Sequence, residues 1–238
     1  MKEKYIIPIA IIIAGLLIAI AILISPAIWK ETKAPTKEST QNTPKKLTWE
    51  EVSKNLRLPD NTDWVRGDLN KAKAIFIEYS DLECPYCKKF HETMLKVLEK
   101  YGDKVAWVYR HFPIENLHKK AMIEAVAAEC VGKIGGNNAF WSYIDKIFEV
   151  TPSNDGLDLT LLPKFAEEVE ISKDDFLKCY NQKETKDKIE KHMQELISLL
   201  GNRVGTPFTV ILIGEERIPI PGYVPFENID NALSQMLK

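Results

Sequence analysis

The chain has 238 residues, 45% of them hydrophobic, with 32 basic against 34 acidic side chains and a formal net charge of -2. That near balance excludes a polycationic nucleic-acid binder and an acidic disordered chain as the main theme. Four Cys are too few to build a disulfide miniprotein, while 9% aromatics and five Trp support one sizeable core.

In chain order, the first feature is a run without a charged residue from Tyr5 to Trp29, apolar almost throughout between Ile6 and Ile24. As a helix that inner run spans about 28 Å, close to a bilayer's hydrocarbon thickness. It is longer than the roughly 7–15 apolar residues of a cleaved signal peptide. Ser25-Pro26-Ala27-Ile28-Trp29 is also a poor cleavage site. Residues 1–4 therefore read as a short N-terminal segment and 5–29 as a retained single-pass anchor, with cleavage as the alternative. Lys2 and Lys4 precede the run, whereas Lys30, Lys33, Lys37, Lys45 and Lys46 follow it. Flanking charge alone thus places the rest of the chain in the cytoplasm. Residues 30–47 are polar, carry no large apolar side chain before Leu47, and read as a flexible tether. The folded region is expected at 48–238.

Ala74–Tyr79 is a short apolar run suited to a buried strand. Phe90, Met94, Val97, Leu98 and Tyr101 then recur at helical spacing, and Val105–Tyr109 makes a second strand. The three complete a β-α-β unit with parallel strands. From about 115 to 201 no strand is expected. The sets Met122/Val126/Cys130, Phe140/Ile144/Ile147 and Leu162/Phe165/Val169 read as helix faces, and Ser172 with Asp175 as the capped start of a helix carrying Phe176 and Cys179. Gly201-Asn202 is a helix stop. Phe208–Ile213 and Arg217–Ile220 read as strands around a turn at 214–216, before a final helix with Ile229, Leu233 and Met236 on one face.

The chemistry centres on Cys84-Pro85-Tyr86-Cys87, where a strand ends and a helix begins. First-turn N–H groups and the helix dipole stabilise a thiolate at Cys84, and Pro85 suits the first helical turn. Cys87, one turn on, is placed to resolve a mixed disulfide on Cys84. The competing reading is half of a zinc site. Zinc needs about four ligands, whereas Cys130, Cys179 and the four His are scattered along the chain. Glu78, in the otherwise apolar first strand, is read as a shielded carboxyl that relays the proton of Cys87, or as an ordinary carboxylate at a frayed strand end. Thr206-Pro207 is either a simple strand start or a cis bond that brings the Thr206 backbone beside the Cys84 sulfur.

The segments Asp63-x-x-Arg66-Gly67, Phe76-Ile-Glu-Tyr-Ser-Asp-Leu-Glu-Cys-Pro-Tyr-Cys-Lys-Lys-Phe-His91, Tyr109-Arg-His-Phe-Pro113 with Leu117-His118, and Val204-Gly-Thr-Pro207 resemble the DsbA-like, thioredoxin-fold disulfide oxidoreductases, notably their membrane-anchored BdbD-like branch. The resemblance implies an α/β thioredoxin fold, a central mixed sheet with flanking helices and an inserted helical domain, here preceded by one transmembrane helix. It implies Cys84 as nucleophile, Cys87 as resolving thiol, Glu78 at the buried acid position and Pro207 as cis proline, with Pro85, Tyr86 and Thr206 in support. It further implies a redox-active disulfide with no other cofactor and no metal, and disulfide donation to unfolded or reduced exported proteins rather than nucleic acid. Reoxidation would come from a quinone-linked membrane thiol oxidase of DsbB-like or VKOR-like type. The expected location is the cell membrane with the catalytic domain outside, against the lysine count, because a cytosolic thiol pool would keep an oxidising pair reduced. Some relatives of this kind carry a second cysteine pair in the helical insertion, so Cys130 and Cys179 are expected to form a structural disulfide, with two buried free thiols as the alternative. Two other functions stay open: a reductase or isomerase of the same fold, and a non-catalytic peptide-binding or chaperone-like module.

Overall fold

The computed structural model describes residues 49–237 apart from Asn181, Lys183, Asn202 and Arg203. The expected anchor and tether lie outside the described residues, among which no helix is long and apolar enough to cross a membrane. In chain order the elements are α1 (Trp49–Asn55), β1 (Trp64–Arg66), β2 (Ala74–Ser80), α2 (Pro85–Tyr101), β3 (Val105–His111), α3 (Ala121–Val150), α4 (Leu162–Glu168), α5 (Lys173–Tyr180), α6 (Glu184–Leu200), β4 (Phe208–Ile213), β5 (Glu216–Pro221) and α7 (Phe226–Met236).

The strands form one mixed sheet in the order β1-β3-β2-β4-β5, with β2 and β3 parallel and the other pairs antiparallel. Strand β2 lies in the middle and is covered on both faces, which is why its sequence is apolar rather than alternating. One face, carrying Phe76, Trp107, Tyr109 and Ile211, packs into a core with Phe90, Met94 and Val97 of α2 and Ile229 and Leu233 of α7. The other, carrying Ile77, Tyr79, Val108 and Val210, meets Val52 of α1, Leu56 directly after it and Leu196 of α6.

The helical block between β3 and β4 differs from the sequence expectation in one respect. The faces Met122/Cys130 and Phe140/Ile144/Ile147 lie on two arms of α3 joined at Gly136, whose φ of 77° and ψ of -169° interrupt the helix. A side chain there would sit in the left-handed region, so glycine sets the bend. Ser172 caps α5, its Oγ accepting from the Asp175 N–H at 3.1 Å. Cys130 and Cys179 form a disulfide between α3 and α5, Cα to Cα 5.7 Å, across a sequence separation of 49. A loop of that size stabilises by about 4 kcal/mol in the chain-entropy picture. Met236, expected on the buried face of the last helix, is 37% exposed. The apolar stripe instead continues from Ile229 and Leu233 to Leu237, which packs against the core.

Two elements escaped the sequence pattern. Helix α1 is short, and β1 has three half-buried residues with no alternation. Tertiary contacts hold β1: its Trp64 ring stacks on Phe140 with centroids 4.7 Å apart. The Asn137 side chain closes its outer edge by accepting from Val65 N–H and donating to Val65 C=O at 2.8 and 2.7 Å.

Arg110 of β3 is fully buried, and all five of its N–H groups are used. Nε and Nη2 grip the Asp63 carboxylate at 2.9 and 3.0 Å, Nη1 donates to Tyr79 Oη and Glu195 Oε1, and Nη2 also donates to the Arg57 carbonyl. The guanidinium thereby joins the segment before β1, strand β2 and helix α6. Burial pushes the Asp63 carboxyl up, but the Arg110 and Arg57 hydrogen bonds more than offset it and hold the group well below the usual carboxylate range. A depressed pKa gives stability that is present above about pH 4 and lost as pH falls further. Asp63→Ala, which removes the carboxylate bound by Nε and Nη2 of the buried guanidinium, is expected to cost about 3–5 kcal/mol in urea denaturation at neutral pH. A loss below about 1 kcal/mol would show that Arg110 finds other partners.

Candidate active site

The site is built where β2 ends. Cys84 is the N-cap of α2 (φ -79°, ψ 122°), and Pro85 takes the first helical position, where a missing N–H costs nothing. This geometry leaves Cys84 at 5% exposure and Cys87, one turn inward, at 0%. Both thiols are free. Tyr86, between them, is 57% exposed, with Lys89 Nζ 5.7 Å from its ring centroid.

The two sulfurs differ sharply as acids. Cys84 is lowered to about 6, first by the hydrogen bond from Cys87, against the opposing effect of burial, and further by Thr206 and the N–H groups of Cys87 and Tyr86. Cys87 is driven far above the ordinary thiol range by full burial and by the neighbouring Cys84 and Glu78 charges. The Thr206-Pro207 bond is cis, and the Thr206 carbonyl lies 3.4 Å from Cys84 Sγ. Pro207 is buried at the start of β4, while Thr206 is half-buried beside the sulfur.

Glu78 is not at a frayed strand end. It sits in the middle strand at 0% exposure, with Oε2 accepting from Trp107 Nε1 at 2.8 Å. Desolvation raises it to about 8, against the hydrogen bonds of Ser80 and Trp107, and the Cys84 charge adds to the rise. The carboxyl is therefore mostly protonated at neutral pH. Among the described residues no three His, Cys, Asp or Glu side chains are grouped to hold a metal. Cys130 and Cys179, the only other thiols, are bonded to each other.

Sequence reasoning passed over the residues that seat the turn. Asp81, buried at the end of β2, accepts from the N–H groups of Glu83 and Ile114 at 2.8 Å and pairs with His118 Nδ1 at 2.9 Å. Glu83, directly before the nucleophile and fully buried, accepts from Leu157 N–H and Gly156 N–H at 3.2 Å and from Thr151 Oγ1 at 3.4 Å, while its carbonyl accepts from Asn154 N–H. Those bonds hold a loop in which Ser153, Asn154 and Asp155 all have positive φ, a backbone that non-glycine residues adopt only when the surroundings enforce it. Burial and the Glu83 carboxylate push Glu124, opposite, to about 10. The only sequence signal was two acids within four residues of the nucleophile.

A protein-family model described as Thioredoxin matches residues 60–230. The alpha-DsbA1 structure from Wolbachia pipientis is similar at 28% identity and a TM-score of 0.63, covering 75% of this chain and 92% of that one. DsbA2 from Pseudomonas aeruginosa is similar at 27% identity and a TM-score of 0.59, covering 75% and 96%. Among curated proteins, a Na(+)/H(+) antiporter NhaA 1 of Mycolicibacterium vanbaalenii is 35% identical over 91 residues, 38% of this chain and 14% of the antiporter. The chain thus matches only a small part of the length of those curated relatives.

The raised Glu78 carboxyl sets a stability test. A raised folded pKa gives a contribution that is complete below the unfolded value, about 4.3, and is lost as pH rises through about 8. Glu78→Gln removes that loss. The reduced variant is expected to match wild type near pH 4 and to exceed it by more than about 2 kcal/mol at pH 8 in urea denaturation. Equal stabilities at both pH values would place Glu78 in contact with water.

Proposed function

The chain belongs to the thioredoxin family, on its DsbA-like side, and from that membership we propose that it is a thiol–disulfide oxidoreductase that donates the Cys84–Cys87 disulfide to exported proteins. The observation that carries the reading is the contrast between the two sulfurs beside the cis Thr206-Pro207 bond: an acidic Cys84 at the rim and a strongly basic Cys87 beneath it.

In the donating direction a substrate thiolate attacks Cys84 and Cys87 leaves as the other half of the broken disulfide. A second substrate thiolate then attacks the substrate sulfur of the mixed disulfide and releases Cys84, whose low pKa makes it the better leaving group. The same acidity stabilises the dithiol form relative to the disulfide, which makes the pair oxidising. A purely structural or peptide-holding role gives no reason for an acidic thiol at the rim. The backbone of Thr206, alongside Cys84, is the surface on which an extended substrate segment would lie.

This reading places the domain outside the cytoplasm, tethered through residues 5–29, with a DsbB-like or VKOR-like quinone-linked membrane oxidase to restore the disulfide. The Cys130–Cys179 disulfide supports that compartment, since such bonds persist where the surroundings are oxidising.

Equilibration with glutathione, followed by acid quench and alkylation, tests the direction. The expected potential lies between about -120 and -200 mV, and a value near -270 mV would make the protein a reductase. Cys84→Ser is expected to abolish exchange with a cysteine peptide, and Cys87→Ser to accumulate mixed disulfides through Cys84. Absence of any thiol titrating below about pH 7.5 would overturn the catalytic reading.

A further inference from the structure

Beneath Cys87 lies a group of buried polar atoms without aligned hydrogen-bond partners: Glu78 Oε1, Ser80 Oγ, Tyr109 Oη and Thr209 Oγ1. Their residues are all at 0% exposure. They share one face of the sheet, because Glu78 is paired across the strands with Tyr109 of β3 and Thr209 of β4, and Ser80 follows Glu78 by two positions on β2. Cys87 Sγ enters the same place, 3.4 Å from the Asp81 N–H, and so against the peptide that follows Ser80.

Buried polar atoms left unpaired are costly, and in a native protein they point to a function or to trapped water. Ser80 has the central position. Its hydroxyl bears on Glu78, Cys87 and Tyr109 and stabilises the anion of each. A hydroxyl rotor that is unpaired while all three are neutral, and that donates when one becomes charged, stabilises the charged state selectively. Glu78 Oε2 is already held by Trp107, which leaves Oε1 to face this space.

We propose that the Ser80 hydroxyl is the proton bridge between Glu78 and Cys87. The proposal rests on the exchange reading above and deepens it. As a substrate sulfur bonds to Cys84 and the Cys84–Cys87 bond breaks, the electron pair departs on Cys87. Ser80 gives its hydroxyl proton to that sulfur and takes the Glu78 proton in its place. The negative charge brought by the substrate thiolate ends on the Glu78 carboxylate. In the reverse direction Cys87 is deprotonated by the same route before it attacks the mixed disulfide. The titratable groups around the bridge are Cys84 at the N-cap of α2, Cys87 within it, Tyr109 from β3 with His111 edge-on to its ring, and Asp81 directly after β2.

The test is the single-turnover reaction of the oxidised protein with a cysteine peptide from pH 5 to 9. Ser80→Ala is expected to slow it about 10- to 100-fold, the scale of a hydrogen bond lost to a charged group, with Ser80→Thr restoring it to within about threefold. Because the two residues act in series, Ser80→Ala/Glu78→Gln is expected to be no slower than Glu78→Gln alone. The Cys84 thiolate titration, read by ultraviolet absorbance, is expected to stay in place in Ser80→Ala, which a general distortion of the site would not allow. A Ser80→Ala protein that matches wild type at every pH beside a slow Glu78→Gln overturns the bridge and leaves the exchange reading intact, as do losses that multiply in the double variant. A wild-type protein that does not exchange overturns both.

Discussion

The site depends on one constraint: two thiols a single helical turn apart are kept in different dielectric surroundings. Cys84 stands at the end of α2, where N–H groups without helical partners and the Cys87 thiol all favour its anion. Cys87 points into the sheet, where loss of water and the nearby Cys84 and Glu78 charges outweigh the Ser80 hydroxyl. Acidity at the rim and basicity beneath it are thus two consequences of the angle at which α2 meets β2. The cis Thr206-Pro207 bond completes the arrangement by bringing backbone from the far end of the chain to the Cys84 sulfur.

Holding that angle requires charged groups to be buried, and each is compensated. Asp81 accepts hydrogen bonds from the active-site turn and from the loop after β3. Glu83 ties the turn to the strained loop that follows α3, and Lys88 Nζ donates to the Thr151 carbonyl at the same junction. His91 of α2 reaches Asp145 of α3, which in turn binds Arg66 of β1. The helical insertion is therefore fastened to the nucleophile's own helix at several points, and a shift of the insertion would be felt at Cys84. Buried charges of this kind contribute little net stability compared with an apolar core, but their hydrogen bonds favour one geometry because losing a partner leaves a buried charge unpaired.

Much of this was legible in the residues. The apolar run before Cys84, the helical spacing after it and the second apolar run specify a β-α-β unit through period alone. The Ser172 cap and the glycine after α6 announced themselves by local chemistry. What stayed hidden was held by distant partners. Strand β1 has no periodic signal and exists because Phe140 and Asn137 receive it. Arg110 and Asp63 look like ordinary surface charges until the fold closes around them. Ser80, Asp81 and Glu83 read as a polar link between strand and helix, and only their burial gives them roles.

The order of elements, the position of Cys84 at a helix start and the spacing that lets Cys87 reach it are written in the residues, because these follow from local geometry over a few positions. Glu78 is legible there too, as the one acid in an apolar strand. How those groups behave as acids, and which residues accompany them, came from contacts made when the chain folds. Proton affinity depends on the water excluded and the charges approached, and both are set by chain segments far apart in sequence: Trp107 over Glu78, Thr206 beside Cys84, and α3 against the loop held by Glu83.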